Sequence, residues 1–87
     1  MVGPYDMSGS LGIPGEINHE KVQKAVTQVV ETCKKYKKAC GIHEIAPTIE
    51  SVNALLNSGI NFVVLASDVF IFWKWGERIQ KLISACR

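Results

Sequence analysis

The sequence has no marked excess of charge of either sign. Its ten basic and eight acidic residues give a net charge of +2 at pH 7. A protein that attracts nucleic acid or an anionic membrane electrostatically carries a larger positive charge. The lysines at positions 34, 35, 37 and 38 belong to the last turn of a predicted helix, where cations complement the helix dipole. We therefore expect neither nucleic acid nor a membrane as a partner.

The sequence also has few cysteines, and we expect no secretory leader. Its three cysteines, Cys33, Cys40 and Cys86, are an odd number and lack the paired spacing of a zinc site. Cys33 and Cys40 fall at apolar positions of the pattern, where a free cysteine acts as a small buried hydrophobe. Met1 is followed by Val-Gly-Pro-Tyr-Asp rather than by a basic stretch and an apolar core. These features predict a cytoplasmic protein.

No apolar run is long enough to indicate a membrane span. The most apolar stretch, residues 60–75, is short and is interrupted by Asp68 and Lys74, so it is better interpreted as a strand leading into a helix. The composition, 47% apolar and 21% charged residues over 87 positions, is typical of one small globular domain with a modest core.

The chain repeats a strand-then-helix pattern three times. The predicted strands are Met1–Tyr5, Ala39–Ile45 and Asn61–Ser67. The predicted helices are one capped by Asn18 and ending near Tyr36, one capped by Thr48 over Ile49–Ser58 and followed by Gly59, and a last one capped by Asp68. The first helix carries an apolar stripe of valines, alanine and cysteine at three-and-four spacing.

Alternating strands and helices predict an α/β fold with a parallel sheet and right-handed crossovers. The continuous apolar run of residues 62–66 is typical of a strand covered on both faces. Three parallel strands alone would leave two unpaired edges. We therefore expect the chain to be part of something larger, or else to assemble with copies of itself.

One acidic residue stands where an active site would lie. Asp6 follows the first apolar segment and precedes a loop rich in glycine and serine. A carboxylate at a strand's carboxyl end, beside free backbone amides, suits a divalent cation and an anionic substrate. The alternative is a loop carboxylate that caps a turn. Because only five residues precede Asp6, we expect the chain to begin inside a strand.

The motif Gly-Pro-x-Asp-(Leu/Met)-Ser-x-Ser-x-Gly, present at residues 3–12, resembles the HpcH/HpaI aldolase/citrate lyase family. An Ile-Pro-Gly and a helix opened by Asn-His follow it, and Gly41-Ile42-His43 and the junction at Ser67-Asp68 are similar to later parts of the family pattern. The resemblance implies a (β/α)8 TIM barrel, with residues 1–87 as a single partial domain formed by its last three strand–helix units.

The resemblance also implies a chemistry. Family members use a divalent metal (Mg, Mn or Co) to stabilise the enolate of a pyruvate-like oxo-acid, which adds to an aldehyde or forms when a hydroxy-oxo-acid is cleaved. Asp6 matches a metal carboxylate, and the backbone amides of Tyr5 and Asp6 match those that hold the substrate carboxylate. His43 matches a position in the wall facing the aldehyde and would select substrates. The simple pyruvate aldolases are favoured over acyl-CoA enzymes.

Several family features have no counterpart here. The family's other metal carboxylate, a glutamate, would precede this chain, as would its arginine and its histidine-centred base. We therefore expect the isolated chain to be inactive. The alternative is a non-catalytic truncated paralogue or a self-associating α/β module. The family also implies a homo-oligomer that can exchange its last helix, with Phe72, Trp73 and Trp75 packed on another subunit. An ordinary core helix is the other interpretation. Ser8 and Ser10 are expected to bond to the loop backbone.

Overall fold

The computed structural model describes residues 1–86 and contains four helices and two strands. In chain order they are α1 (Pro4–Ser10), α2 (Glu20–Lys35), β1 (Gly41–Glu44), α3 (Ile49–Asn57), β2 (Phe62–Leu65) and α4 (Asp68–Ala85). The predicted alternation of strands and helices is confirmed from α2 onward. No helix within this described part is long and apolar enough to cross a bilayer.

Three parallel segments lie side by side. β1 pairs with β2 in parallel, with His43 opposite Val64. On the other side of β1, Val2 forms a single parallel bridge to Ile42, and its N–H donates to the carbonyl of Gly41 at 2.7 Å. All three segments therefore run in one direction, as the sequence predicts for a right-handed crossover fold.

The first predicted strand is wrong beyond Val2. Residues 4–10 form the short helix α1, with Gly3 as its N-cap. Pro4 has no N–H for a strand ladder, and its fixed φ suits the first position of a helix. Asp6 consequently lies in the first turn of α1 and not in the loop that the glycines and serines predicted.

The helix boundaries depend on local caps. The N-cap of α2 is His19, not Asn18, because the His19 Nδ1 accepts from the N–H of Lys21 at 3.1 Å. Thr48 caps α3, as predicted, and it does so in a reciprocal capping box with Ser51, which was not predicted. At α4 the N-cap is Ser67, and Asp68 is the first helical residue, which corrects the predicted cap.

The core is small and lies between α2 and one face of the sheet. Five buried residues make one cluster: Val2, Val30, Cys40, Ile42 and Ile60. Val26, Val29, Cys33, Leu55 and others pack against it. The predicted apolar stripe of α2 is therefore the face that covers the sheet.

The opposite side of the molecule is open. Phe62 and Val64 share the face of β2 that is away from the core, and within residues 1–86 they are 54% and 36% exposed. In the same part of the chain, α4 has no buried residue. The two-sided coverage predicted for this strand is therefore absent from the described part of the chain. The molecule is correspondingly elongated, at 58 × 28 × 19 Å.

Candidate active-site edge

The carboxyl ends of Val2, β1 and β2 meet at one edge of the sheet, which we call the carboxyl edge. Because the three segments are parallel and in register at Val2, Ile42 and Val63, the residues that follow each of them emerge on the same side. Asp6 follows the first segment, His43 lies near the end of β1, and Ala66 follows β2. Active sites of parallel α/β barrels are built at this edge.

Asp6 is exposed and stands at the start of α1. Its carboxylate folds back toward Gly3, since a Cβ on Gly3 would come within 3.0 Å of the Asp6 Oδ2 atom. An anion in the first turn of a helix is stabilised by the free N–H groups and the dipole there. The position of this carboxylate is therefore set by a glycine on one side and the helix start on the other.

Tyr5 and Ser8 organise the same helix. Ser8 is completely buried, and its hydroxyl donates to the carbonyl of Tyr5 at 2.6 Å while accepting from the N–H of Gly15 at 3.0 Å. The expectation that Ser8 bonds to the loop backbone is confirmed. The backbone N–H groups of Tyr5 and Asp6 lie in the first turn, where the helix itself supplies no acceptor. The Tyr5 ring is 51% exposed.

His43 is half-buried, and its imidazole ring contacts the backbone that follows β2. Its Nε2 atom forms a hydrogen bond with the carbonyl of Ala66, the residue directly after β2. The N–H of Ala66 in turn donates to the carbonyl of Glu44 at 2.8 Å. The neighbouring Glu44 side chain lines a cavity beside α2 and α3, so His43 and Glu44 do not act as a pair, as the alternation of strand side chains predicts.

A second cavity of about 390 Å³ opens beside Ala66, between the segment after β1 and the first turns of α4. Its walls are mainly apolar, with Pro47, Phe70 and Trp75 among them and Lys74 at its margin. Lys74 also approaches Glu77 at 3.6 Å and the face of Trp73 at 5.2 Å.

No family model matches the chain. Among curated proteins, the 5-keto-4-deoxy-D-glucarate aldolases of Citrobacter koseri and Klebsiella pneumoniae are each 35% identical to it over 84 residues, which cover 97% of this chain and 31% of theirs. A solved structure, the HpcH/HpaI aldolase from Desulfitobacterium hafniense DCB-2, superposes with a TM-score of 0.85 at 22% identity. That match covers 98% of this chain and 32% of the other.

These matches support the resemblance to the HpcH/HpaI aldolase family over nearly the whole chain. The chain spans about a third of the length of the curated relatives it matches. The structural match confirms the predicted fold class, a part of a (β/α)8 barrel, and accounts for a sheet with an open face. The resemblance inferred from the motif at residues 3–12 is thereby confirmed.

The metal ligands expected of this family are incomplete in the described residues. Among residues 1–86 no three His, Cys, Asp or Glu side chains converge in a group that could hold a metal ion. A hard cation needs about six oxygen ligands, often from several carboxylates, and the carboxyl edge offers Asp6 alone of the predicted ligands. The residues present therefore do not by themselves make a metal site.

The thiols do not replace the missing ligands. Burial, together with a hydrogen bond to the Cys33 thiol and the proximity of that group, raises the pKa of the Cys40 thiol. A raised thiol pKa keeps the group protonated at neutral pH, whereas the thiolate is the metal ligand and nucleophile. Cys33 and Cys40 act as packed hydrophobes, as their sequence positions predict.

Sequence analysis missed Ala66 altogether. Ala66 has a left-handed backbone, with φ of +53°, which an alanine adopts only at a cost. Nothing in the local sequence signals it, because left-handed positions are normally recognised by glycine or asparagine. The resemblance placed His43 in a pocket wall, but the sequence did not predict that its side chain bonds to the residue after β2.

Proposed function

We propose that this chain forms one section of the active site of a divalent-metal-dependent aldolase. The reaction would cleave or form a hydroxy-oxo-acid through the enolate of pyruvate, with an aldehyde as the second substrate. Homology to sugar-acid aldolases along nearly the whole chain supports this activity. The observation that carries it is the common carboxyl edge, to which the parallel segments bring Asp6 and His43.

Each predicted site residue has one role in this proposal. Asp6 supplies one carboxylate ligand to Mg, Mn or Co, whose Lewis acidity would stabilise the enolate. The backbone amides of Tyr5 and Asp6 hold the substrate carboxylate at the start of α1. His43 contributes to the wall that faces the aldehyde. A single carboxylate is too few ligands for the cation, so the chain by itself is proposed to be inactive.

A chimera tests the proposal. This chain would replace the matching third of the Citrobacter koseri aldolase, and cleavage of 5-keto-4-deoxy-D-glucarate would be measured with added Mg²⁺, Mn²⁺ or Co²⁺. We expect activity in the chimera and a loss of at least about 100-fold in Asp6→Asn, because removal of an outer partner of a metal ligand alone costs 10- to 100-fold. Asp68→Asn, which alters another exposed carboxylate after a strand, is the matched control.

Two outcomes would contradict the proposal. One is a folded, active chimera in which Asp6→Asn and Asp68→Asn have the same activity. The other concerns the isolated 87-residue chain, which would be titrated with each metal and assayed with the same substrate and with oxaloacetate. Turnover by that chain alone would refute its proposed inactivity.

The exposed apolar side chains favour a second candidate, a non-catalytic α/β module that associates with itself. Phe62 and Leu65 on β2, and Phe72 and Trp75 on α4, are each more than half exposed. Exposed apolar area of this extent is typical of an interface. An inactive chimera with native-like folding, together with association of the isolated chain, would favour this candidate over the aldolase.

The proposed aldolase would also be a homo-oligomer in which α4 can be exchanged between subunits. The absence of any buried residue on α4 within the described chain supports a packing partner for that helix. The cytoplasmic location stays a prediction.

A further inference from the structure

The imidazole of His43 is bound to the corner between β2 and α4. In the sheet register His43 lies opposite Val64, and its Nε2 atom reaches two residues further along the neighbouring strand to the Ala66 carbonyl. A carbonyl oxygen can only accept, so Nε2 carries the proton and donates. In the neutral ring the lone pair then lies on Nδ1.

Both polar backbone groups of Ala66, its N–H and its carbonyl, form hydrogen bonds with consecutive residues of β1. Its N–H donates to the carbonyl of Glu44, and its carbonyl accepts from the His43 side chain. This residue has the left-handed φ of +53°. A non-glycine residue keeps such a conformation only where its surroundings determine it. The two bonds from β1 are the contacts that do so here.

The backbone of Ala66 decides where α4 begins. Ser67, the next residue, is the N-cap, and its carbonyl accepts from the N–H of Ile71 at 2.9 Å to close the first helical turn. Between residues 62–65 of β2 and the start of α4 there are only Ala66 and Ser67. A change of φ at Ala66 would therefore swing α4 and the wall of the cavity that Ala66 and Phe70 line.

We propose that His43 is a positioning residue that fixes the left-handed turn at Ala66, and with it the direction of α4, by donating from Nε2 to the Ala66 carbonyl. The consequence for the ring is a single neutral tautomer, with Nδ1 free to accept a hydrogen bond at the carboxyl edge. This role goes beyond the proposed aldolase activity. Its readouts need no substrate, so the failure of one proposal does not decide the other.

The tautomer and the local stability of the turn test this role in the full chain. Nitrogen-15 NMR of the imidazole should show a protonated Nε2 and an unprotonated Nδ1 when the ring is neutral. In His43→Met, hydrogen exchange at the amides of Ala66 and Ile71 should become about 2- to 10-fold faster, the range expected for one lost hydrogen bond. His43→Gln, whose side-chain amide can still donate, should restore slow exchange.

A second substitution separates this role from general packing. Ala66→Gly removes the cost of the left-handed conformation, so the same His43→Met change should have a smaller effect in that background. The amide of Val30 in the core is the control, and its exchange should not change. A proton on Nδ1 in the neutral ring, equal exchange in the Gln and Met variants, or equal acceleration at Val30 would each overturn the proposal.

Discussion

At the scale of single residues, the buried polar contacts of the carboxyl edge are few and specific. Ser8 is the one buried polar residue among residues 1–86, and both of its hydrogen bonds are satisfied. It joins α1 to the loop that leads toward α2. The expected bonding of Ser8 to the loop backbone is confirmed by the contact with Gly15. The burial of Ser8 could not be predicted, because a serine in a glycine-rich stretch normally indicates an exposed loop.

Replacing Ser8 tests the value of these bonds. Ser8→Ala leaves the Gly15 N–H without its acceptor, and we expect it to lower the free energy of unfolding by about 1–3 kcal/mol. Ser10→Ala, at an exposed position of the same helix, should change it by less than about 0.5 kcal/mol. Urea unfolding followed by circular dichroism measures both. Equal effects of the two substitutions would contradict the assigned role of Ser8.

At the scale of helices and strands, some boundaries that follow from local chemistry were predicted, whereas the caps of α2 and α4 were each placed one residue away from His19 and Ser67. Thr48 and Gly59 were recognised because a cap hydroxyl and a left-handed glycine act within one turn of the chain. The replacement of the first predicted strand by α1 depends on Pro4 and on contacts of α1 with α2. Residues 3–10 alone are equally compatible with a loop.

Gly59 gives a prediction at this scale. Its φ is +103°, and an added Cβ would lie 2.7 Å from the Lys34 Cε atom and 2.9 Å from the Val30 Cγ1 atom. Gly59→Ala should therefore destabilise the chain by more than about 1 kcal/mol, since both backbone strain and contact with α2 oppose it. Gly76 lies within α4, and a Cβ added there meets no other atom within 4 Å. Gly76→Ala should therefore stabilise the chain by about 0.5–1 kcal/mol, because alanine has the higher helix propensity.

The two glycine variants are compared by thermal unfolding under the same conditions. Gly76→Ala is the matched control, because it adds the same methyl group at a helical position where that group contacts no other residue. A Gly59→Ala variant as stable as the parent chain would show that the approach of the α3–β2 turn to α2 is looser than the structure indicates.

At the scale of the whole molecule, the main feature is the uneven distribution of buried and exposed apolar side chains. One side of the sheet packs on α2, whereas the other side and all of α4 expose large apolar residues. The match to about a third of a (β/α)8 barrel explains this asymmetry, because the remaining strands and helices of a barrel would cover the open face. Exposed apolar area of this extent is typical of an interface.

We expect the isolated chain to associate in a concentration-dependent way. Phe72→Asp places a charge on the most exposed aromatic residue of α4, 76% accessible, and should shift the weight-average mass in sedimentation equilibrium toward the monomer. Gln80→Asp makes a similar charge change at an exposed polar position of the same helix and serves as the control. A monomeric parent chain, or equal effects of the two variants, would contradict this expectation.

The sequence by itself determined the family resemblance and the parallel α/β class, because motif chemistry and the spacing of apolar residues are local properties. Tyr5, Asp6 and His43 are candidates that this resemblance implies. Only the tertiary structure decided that Asp6 lies in the first turn of a helix, that Ser8 is buried, and that His43 is bonded to Ala66. These depend on which segments become neighbours in the sheet. The physical reason is that a hydrogen bond between residues 23 positions apart exists only after β1 and β2 have paired, and no local pattern carries that information.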